Sequence, residues 1–152
     1  MAIQTLKPFR RVGVGAQYIC FHSDPDQNGD PTFEAAVDKL KTVSTIETTE
    51  ERTTDRVYAS NEEYDTDVTA EPPTIAVDNV AFPPLDLARM RGNTVSGGYI
   101  THSTFDEGEY FAYGVVFPKK SGKFTFVWYP TCQLTSNSDS AQTKDSGGPN
   151  SQ

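Results

Sequence analysis

The chain holds few of the residues that usually carry chemistry. Its 152 residues include two cysteines, two histidines and one tryptophan. Cys20 and Cys132 lie far apart and neither has a second cysteine at CxxC spacing, which excludes the common zinc-ribbon and thiol-redox motifs. Two buried free thiols, as in a reducing cytoplasm, are the expectation. There is no His-x-x-His or His-Glu pair, no phosphate loop and no dinucleotide fingerprint. No apolar run approaches the ~20 residues of a membrane-spanning helix. The N-terminal MAIQTLKPFRR has no apolar stretch of the kind a secretion signal requires, so neither a classical signal nor a membrane anchor is expected. Cations are outnumbered, 13 Lys and Arg against 21 Asp and Glu, for a formal net charge of −8. Such a surface repels phosphate, and the basic residues fall in small groups not interleaved with aromatics, so nucleic-acid binding is not expected. No enzyme, cofactor or metal centre is expected.

Aromatic residues, by contrast, are concentrated near the C-terminal end. EYFAYGVVF (109–117) and GKFTFVWY (122–129) read as an antiparallel strand pair. Alternation sends Phe111, Tyr113, Val115 and Phe117 to one face of the first strand, with Tyr110, Ala112, Gly114 and Val116 on the other. In the second, Phe124, Phe126 and Trp128 oppose Lys123, Thr125, Val127 and Tyr129. A lone hairpin normally wets one face, whereas this one needs both covered. Two arrangements satisfy it: a strand pair sandwiched within one domain, or one face on the chain's own core and the other on a neighbouring subunit. Phe111, Tyr113, Val115, Phe117, Val127 and Tyr129 are the candidates for the subunit interface.

Residues 11–21 read as a strand. Asp30 as N-cap, Pro31 at the first helical position, and Phe33, Ala36, Val37 and Leu40 at helical spacing predict a short helix. The Thr/Glu-rich stretch 42–60 predicts strand flanks around a solvated hairpin tip or protruding loop at 48–54. TIAVDNVAF (74–82) is a strand, and Pro83-Pro84 opens a second short helix that Gly92 stops. Residues 95–102 predict a strand with a bulge or kink at Gly97-Gly98. The sum is about seven strands and two short helices without βαβ alternation. It predicts a mainly β fold, an antiparallel sandwich or barrel with one or two flanking helices. Residues 1–144 would form a single domain and 145–152 a flexible polar tail.

Three constellations invite a chemical reading. Asp24, Asp26, Asn28 and Asp30 match the opening of a calcium loop, D-x-[DN]-x-[DN]-G. The match stops there: Pro31 stands at position eight and Ala35, not glutamate, at position twelve, which favours an ordinary Asx/Gly turn. His102, Ser103 and Asp106 contain the residue types of a hydrolytic triad but no nucleophile elbow, and read as turn residues. Glu62, Glu63, Asp65 and Asp67 could supply a carboxylate pair, yet read as a solvated strand or loop face.

The order and spacing of several short motifs resemble the major tail protein (tail tube) family of long-tailed bacteriophages. These are Val57-Tyr58-Ala59-Ser60-Asn61 with Tyr64, the Pro-Pro helix ending at Gly92, Glu109-Tyr110-Phe111-Ala112, Phe126-Val127-Trp128-Tyr129-Pro130, and Ala141-Gln142-Thr143-Lys144. The family commonly has aspartate at the position of Ser60 and continues past the Thr-Lys into a last strand. The resemblance implies a virion protein assembled in the host cytoplasm, with six subunits per ring, rings stacked into a hollow tube, and inner strands joined in one barrel. Its partners would be further copies of itself, a tape measure and a tail terminator, with DNA only as passing cargo. Glu47, Glu50, Glu51, Glu62, Glu63, Asp65 and Asp67 become the candidates for the lumen or for contacts between rings. Two other functions fit the residues: a head-to-tail connector or tail-completion ring of the same fold, and a monomeric β-sandwich binding module using the calcium-like loop.

Overall fold

The structure, a computed structural model, describes residues 10–24, 29–59, 62–103 and 105–138. It is mainly antiparallel β with one short helix. The strands are β1 (Gln17–Phe21), β2 (Asp38–Leu40), β3 (Val43–Thr49), β4 (Arg52–Ala59), β5 (Glu62–Ala70) and β6 (Thr74–Asn79). After helix α1 (Pro84–Arg91) come β7 (Thr94–Ser96), β8 (Tyr99–Thr101), β9 (Phe111–Pro118) and β10 (Phe124–Cys132).

The aromatic hairpin forms as expected, and a third strand inserts beside it. β1 pairs with β9 and with β2, giving a four-stranded sheet in the order β10-β9-β1-β2. Chain 10–16 extends β1 along the same edge: Arg11 bridges Lys119, and Val12 N–H donates to Pro118 O at 2.9 Å. One face of this sheet, with Ile19, Phe21, Phe111, Tyr113, Val115 and Phe117, forms the buried cluster with Met90 of α1. Ile46 of β3 and Ile75 and Val77 of β6 close it from the second layer.

Strands β3 to β6 make one long ribbon rather than a hairpin with its tip at 48–54. β3 pairs with β6, β4 with β5, and Glu71 N–H donates to Glu51 O at 3.0 Å across the join. The predicted tip is therefore mid-ribbon. Drawn straight, 43–59 against 62–79 would reach on the order of 50 Å at ~3.3 Å per residue. Its lower half packs on the core, while the described side chains of β4 and β5 are exposed.

α1 follows its local signals, with Pro84 in its first turn and Gly92 in the left-handed region at its end. Arg89 ties it down. Its guanidinium donates to both carboxylate oxygens of Glu34 at 2.7 and 3.2 Å and to Glu109 at 2.8 Å, and lies 3.9 Å over the Phe21 ring. This pairing holds the Glu34 carboxyl below its ordinary pKa.

Two local expectations are corrected. Residues 30–40 form no helix. Glu34 N–H donates to Phe21 O at 3.0 Å, Phe33 bridges His22, and 38–40 join the sheet as β2. A helix of two to three turns is marginal unless docked; here Phe33 and Val37 stay exposed, and the open edge of β1 recruits the backbone instead. Gly97-Gly98 is not a bulge. With φ of 57° and 82° the pair is the two-residue turn of the β7–β8 hairpin, a conformation that favours glycine at both central positions.

Candidate assembly surfaces

The six residues expected at a subunit interface lie on the chain's own core side. Phe111, Tyr113, Val115 and Phe117 are buried, and Val127 and Tyr129 pack half-buried against them. Alternation had separated the two faces correctly; the second layer, remote in sequence, decided which one it covers.

The opposite face is open along β10, whereas Cys20, Ala112 and Gly114 on it are buried. Tyr18, Gly114 and Trp128 stand in one row across β1, β9 and β10, with Val116 opposite Phe126 and Pro118 opposite Phe124 in the next rows. The Trp128 and Phe126 rings lie over Gly114, where a Cβ would overlap them. They stack with centroids 5.9 Å apart and an interplanar angle of 19°, and Tyr18 meets Phe126 edge-on at 5.8 Å. Phe124, Phe126 and Trp128 remain 71%, 54% and 38% exposed. Exposed aromatics grouped in this way are a candidate contact surface. Both edge strands, β10 and β2, pair on one side only within the described sheet.

All seven acidic candidates fall on the ribbon. Glu47 is in β3, Glu50 and Glu51 are at the join, and Glu62, Glu63, Asp65 and Asp67 are in β5. Asp55 of β4 was not singled out in the sequence, yet the register sets it directly opposite Asp67, with Asp65 opposite Val57 in the next pair on that face. The alternate pairs, Arg52–Ala70, Thr54–Val68 and Arg56–Thr66, occupy the other face. Asp55, Asp65 and Asp67 thus share one side of the ribbon, and only the strand pairing reveals it.

At the ribbon's base, Gln17 is wholly buried. Its carbonyl oxygen accepts the Tyr113 hydroxyl at 3.0 Å, and its amide donates to Asn79 Oδ1 at 2.6 Å and reaches Thr42 Oγ1 at 3.4 Å. Burial pushes the Tyr113 hydroxyl up to about 12.

The remaining constellations are engaged in local structure. Asp106 accepts the Ser103 N–H at 2.7 Å and lies 3.7 Å from His102 Nδ1, which is 3.1 Å from Asn93 Oδ1. The Ser103 hydroxyl accepts the Phe105 N–H at 3.3 Å, so these residues build a turn at the rim of a cleft of about 480 Å³. In the calcium-like loop, Asp24 and Asp30 are described, while Asp26 and Asn28 lie outside the described residues. No group of three or more His, Cys, Asp or Glu among the described residues is placed to hold a metal ion. Both cysteines are free; Cys20 is buried, its thiol pushed up by burial, and Cys132 is half-buried. Ser60, Asn61 and the segment 139–152, which includes the Ala141–Lys144 motif, lie outside the described residues. No protein-family model, curated protein or solved structure matches this chain.

Proposed function

We propose that the chain is a self-assembling structural subunit of the phage tail-tube kind. Six copies close into a ring, and rings stack into the tube through which DNA leaves the capsid. The observation that carries this reading is the four-stranded sheet with both edges open and an outward face bearing Phe124, Phe126 and Trp128. In a monomer such edges and rings invite uncontrolled association, whereas a closed ring pairs the edges and buries the rings. β10 of one copy would meet β2 of the next. The net charge of −8 fits a conduit, since phosphate gains no cationic hold on a wall of carboxylates. Tape-measure and terminator proteins would be its other partners, with the virion tail its final location.

Electron microscopy of the purified chain, with sedimentation velocity over a concentration series, tests the reading. Hollow tubes support it, and Phe126→Ser/Trp128→Ser should abolish them while leaving a folded monomer. Single rings that never stack would instead favour a connector or completion protein. Monomers at the highest soluble concentration would remove self-assembly altogether.

A further inference from the structure

Charge is segregated in this molecule far beyond what its composition suggests. The ribbon, 43–79, carries ten acidic residues against Arg52 and Arg56, a formal −8 equal to the net charge of the whole chain. The remainder therefore balances to zero, but unevenly. Segments 10–23 and 110–138, which hold β1, β9 and β10, contain no aspartate or glutamate. The fold gathers their cations at one end. Arg11 bridges Lys119, Lys120 N–H donates to Arg10 O at 3.2 Å, and Lys119 N–H donates to Lys123 O at 2.8 Å. Arg10, Arg11, Lys119, Lys120 and Lys123 thus surround the β9–β10 turn, next to the exposed ring of Phe124. In sequence these basic groups looked scattered; only the pairing of 10–12 with 118–120 makes them one patch.

We propose that the acidic face of the ribbon of one copy docks on this basic turn of a second copy. The inference rests on the self-assembly reading and names the surfaces that would join. Two observations point to a cationic occupant for the ribbon. Asp55 and Asp67 are directly opposed, and like charges across a strand pair destabilise it unless a cation lies between or above them. None of the described carboxylates Glu47, Glu51, Asp55, Asp65 and Asp67 forms an ion pair within the chain among the described residues, and neither do the five cations. Val57, 55% exposed beside Asp65, supplies an apolar contact for Phe124. A second copy is favoured over nucleic acid as the occupant of the turn, because the chain itself carries the complementary acidic face and the cations of the turn are not interleaved with aromatics. The contact is head-to-tail, so it propagates rather than closing on itself as a symmetric dimer.

Two reversals of the full chain test the proposal: Asp55→Lys/Asp67→Lys on the ribbon, and Lys119→Glu/Lys120→Glu/Lys123→Glu on the turn. By sedimentation velocity each alone should associate at least tenfold more weakly than the unaltered chain, with circular dichroism confirming the fold. Mixing the two should restore association, since each supplies the surface the other needs. Raising salt from low concentration should weaken association of the unaltered chain, because exposed charges are screened beyond ~8 Å at physiological ionic strength. Asp67→Asn separates a contact from a merely structural role: it relieves the opposed pair, so it should raise the monomer's melting temperature while weakening association. If both reversals associate like the unaltered chain, these surfaces are wrong and the self-assembly reading stands. An unaltered chain that never associates overturns both. Binding of a fluorescein-labelled oligo-dT that is lost in the turn reversal, with association unchanged, reassigns the patch to single-stranded nucleic acid and overturns the proposal.

Discussion

The Gln17–Tyr113 pair should be energetically coupled, and a double-mutant cycle measures it. Gln17 is 0% exposed and joins β1 to the hydroxyl of Tyr113 on β9 and to Asn79 at the base of the ribbon. Gln17→Leu is close in volume but leaves the Tyr113 hydroxyl without its acceptor. A buried polar group so orphaned costs about 1–3 kcal/mol. Asn79 Oδ1 keeps the Thr42 hydroxyl at 3.3 Å, so its loss adds less. The variant should therefore lose about 2–3 kcal/mol. Tyr113→Phe alone orphans the Gln17 carbonyl and should cost about 1–3 kcal/mol for the same reason. The double variant replaces both partners by apolar groups, which removes the penalty for the unmet groups. It should be less destabilised than the sum of the singles by about 1–2 kcal/mol. Urea unfolding followed by the fluorescence of the single tryptophan, Trp128, gives all four stabilities. Additivity to within about 0.5 kcal/mol would refute the reasoning, because independent sites behave that way.

Two further outcomes follow from the same sheet. The Tyr113 pKa is raised from 10.0 to about 12 by burial, so the neutral phenol is the form that the fold favours. Its contribution should be fully present below pH 10 and lost as pH rises through about 12, and Tyr113→Phe should flatten that part of the unfolding-versus-pH curve; an unchanged alkaline limb would contradict the assignment. Gly114→Ala would drive a methyl into the Trp128 ring, so it should cost about 1–3 kcal/mol and shift Trp128 emission to the red; an unaltered spectrum and stability would mean that the rings do not rest on Gly114.

Local signals were legible wherever they agreed with what the tertiary structure needed. The Pro83-Pro84 start and Gly92 stop of α1 act through backbone dihedrals within a few residues, and the helix spans Pro84–Arg91 as they dictate. The β9–β10 hairpin was legible because two short runs rich in aromatic and β-branched residues flank the turn residues Ser121 and Gly122. Residues 30–40 misled: their helical spacing was real but short, and pairing with the edge of β1 supplied a better home for their backbone. Gly97-Gly98 misled differently, since two adjacent glycines can serve a bulge or a tight turn, and the choice depends on whether the flanks pair with each other.

The composition by itself determined a mainly β chain, acidic, with two apolar faces on its last strand pair and few residues suited to chemistry. Those properties follow from residue type and alternation, which act along the chain. It could not determine which aromatic face would be covered, because Ile46, Ile75, Val77 and Met90 arrive from the second layer to bury Phe111 and Tyr113 and leave Phe126 and Trp128 open. Nor could it place Asp55 against Asp67, or Arg10 and Arg11 beside Lys119 and Lys120. Those neighbours are set by strand register, and register follows from how remote segments share one core.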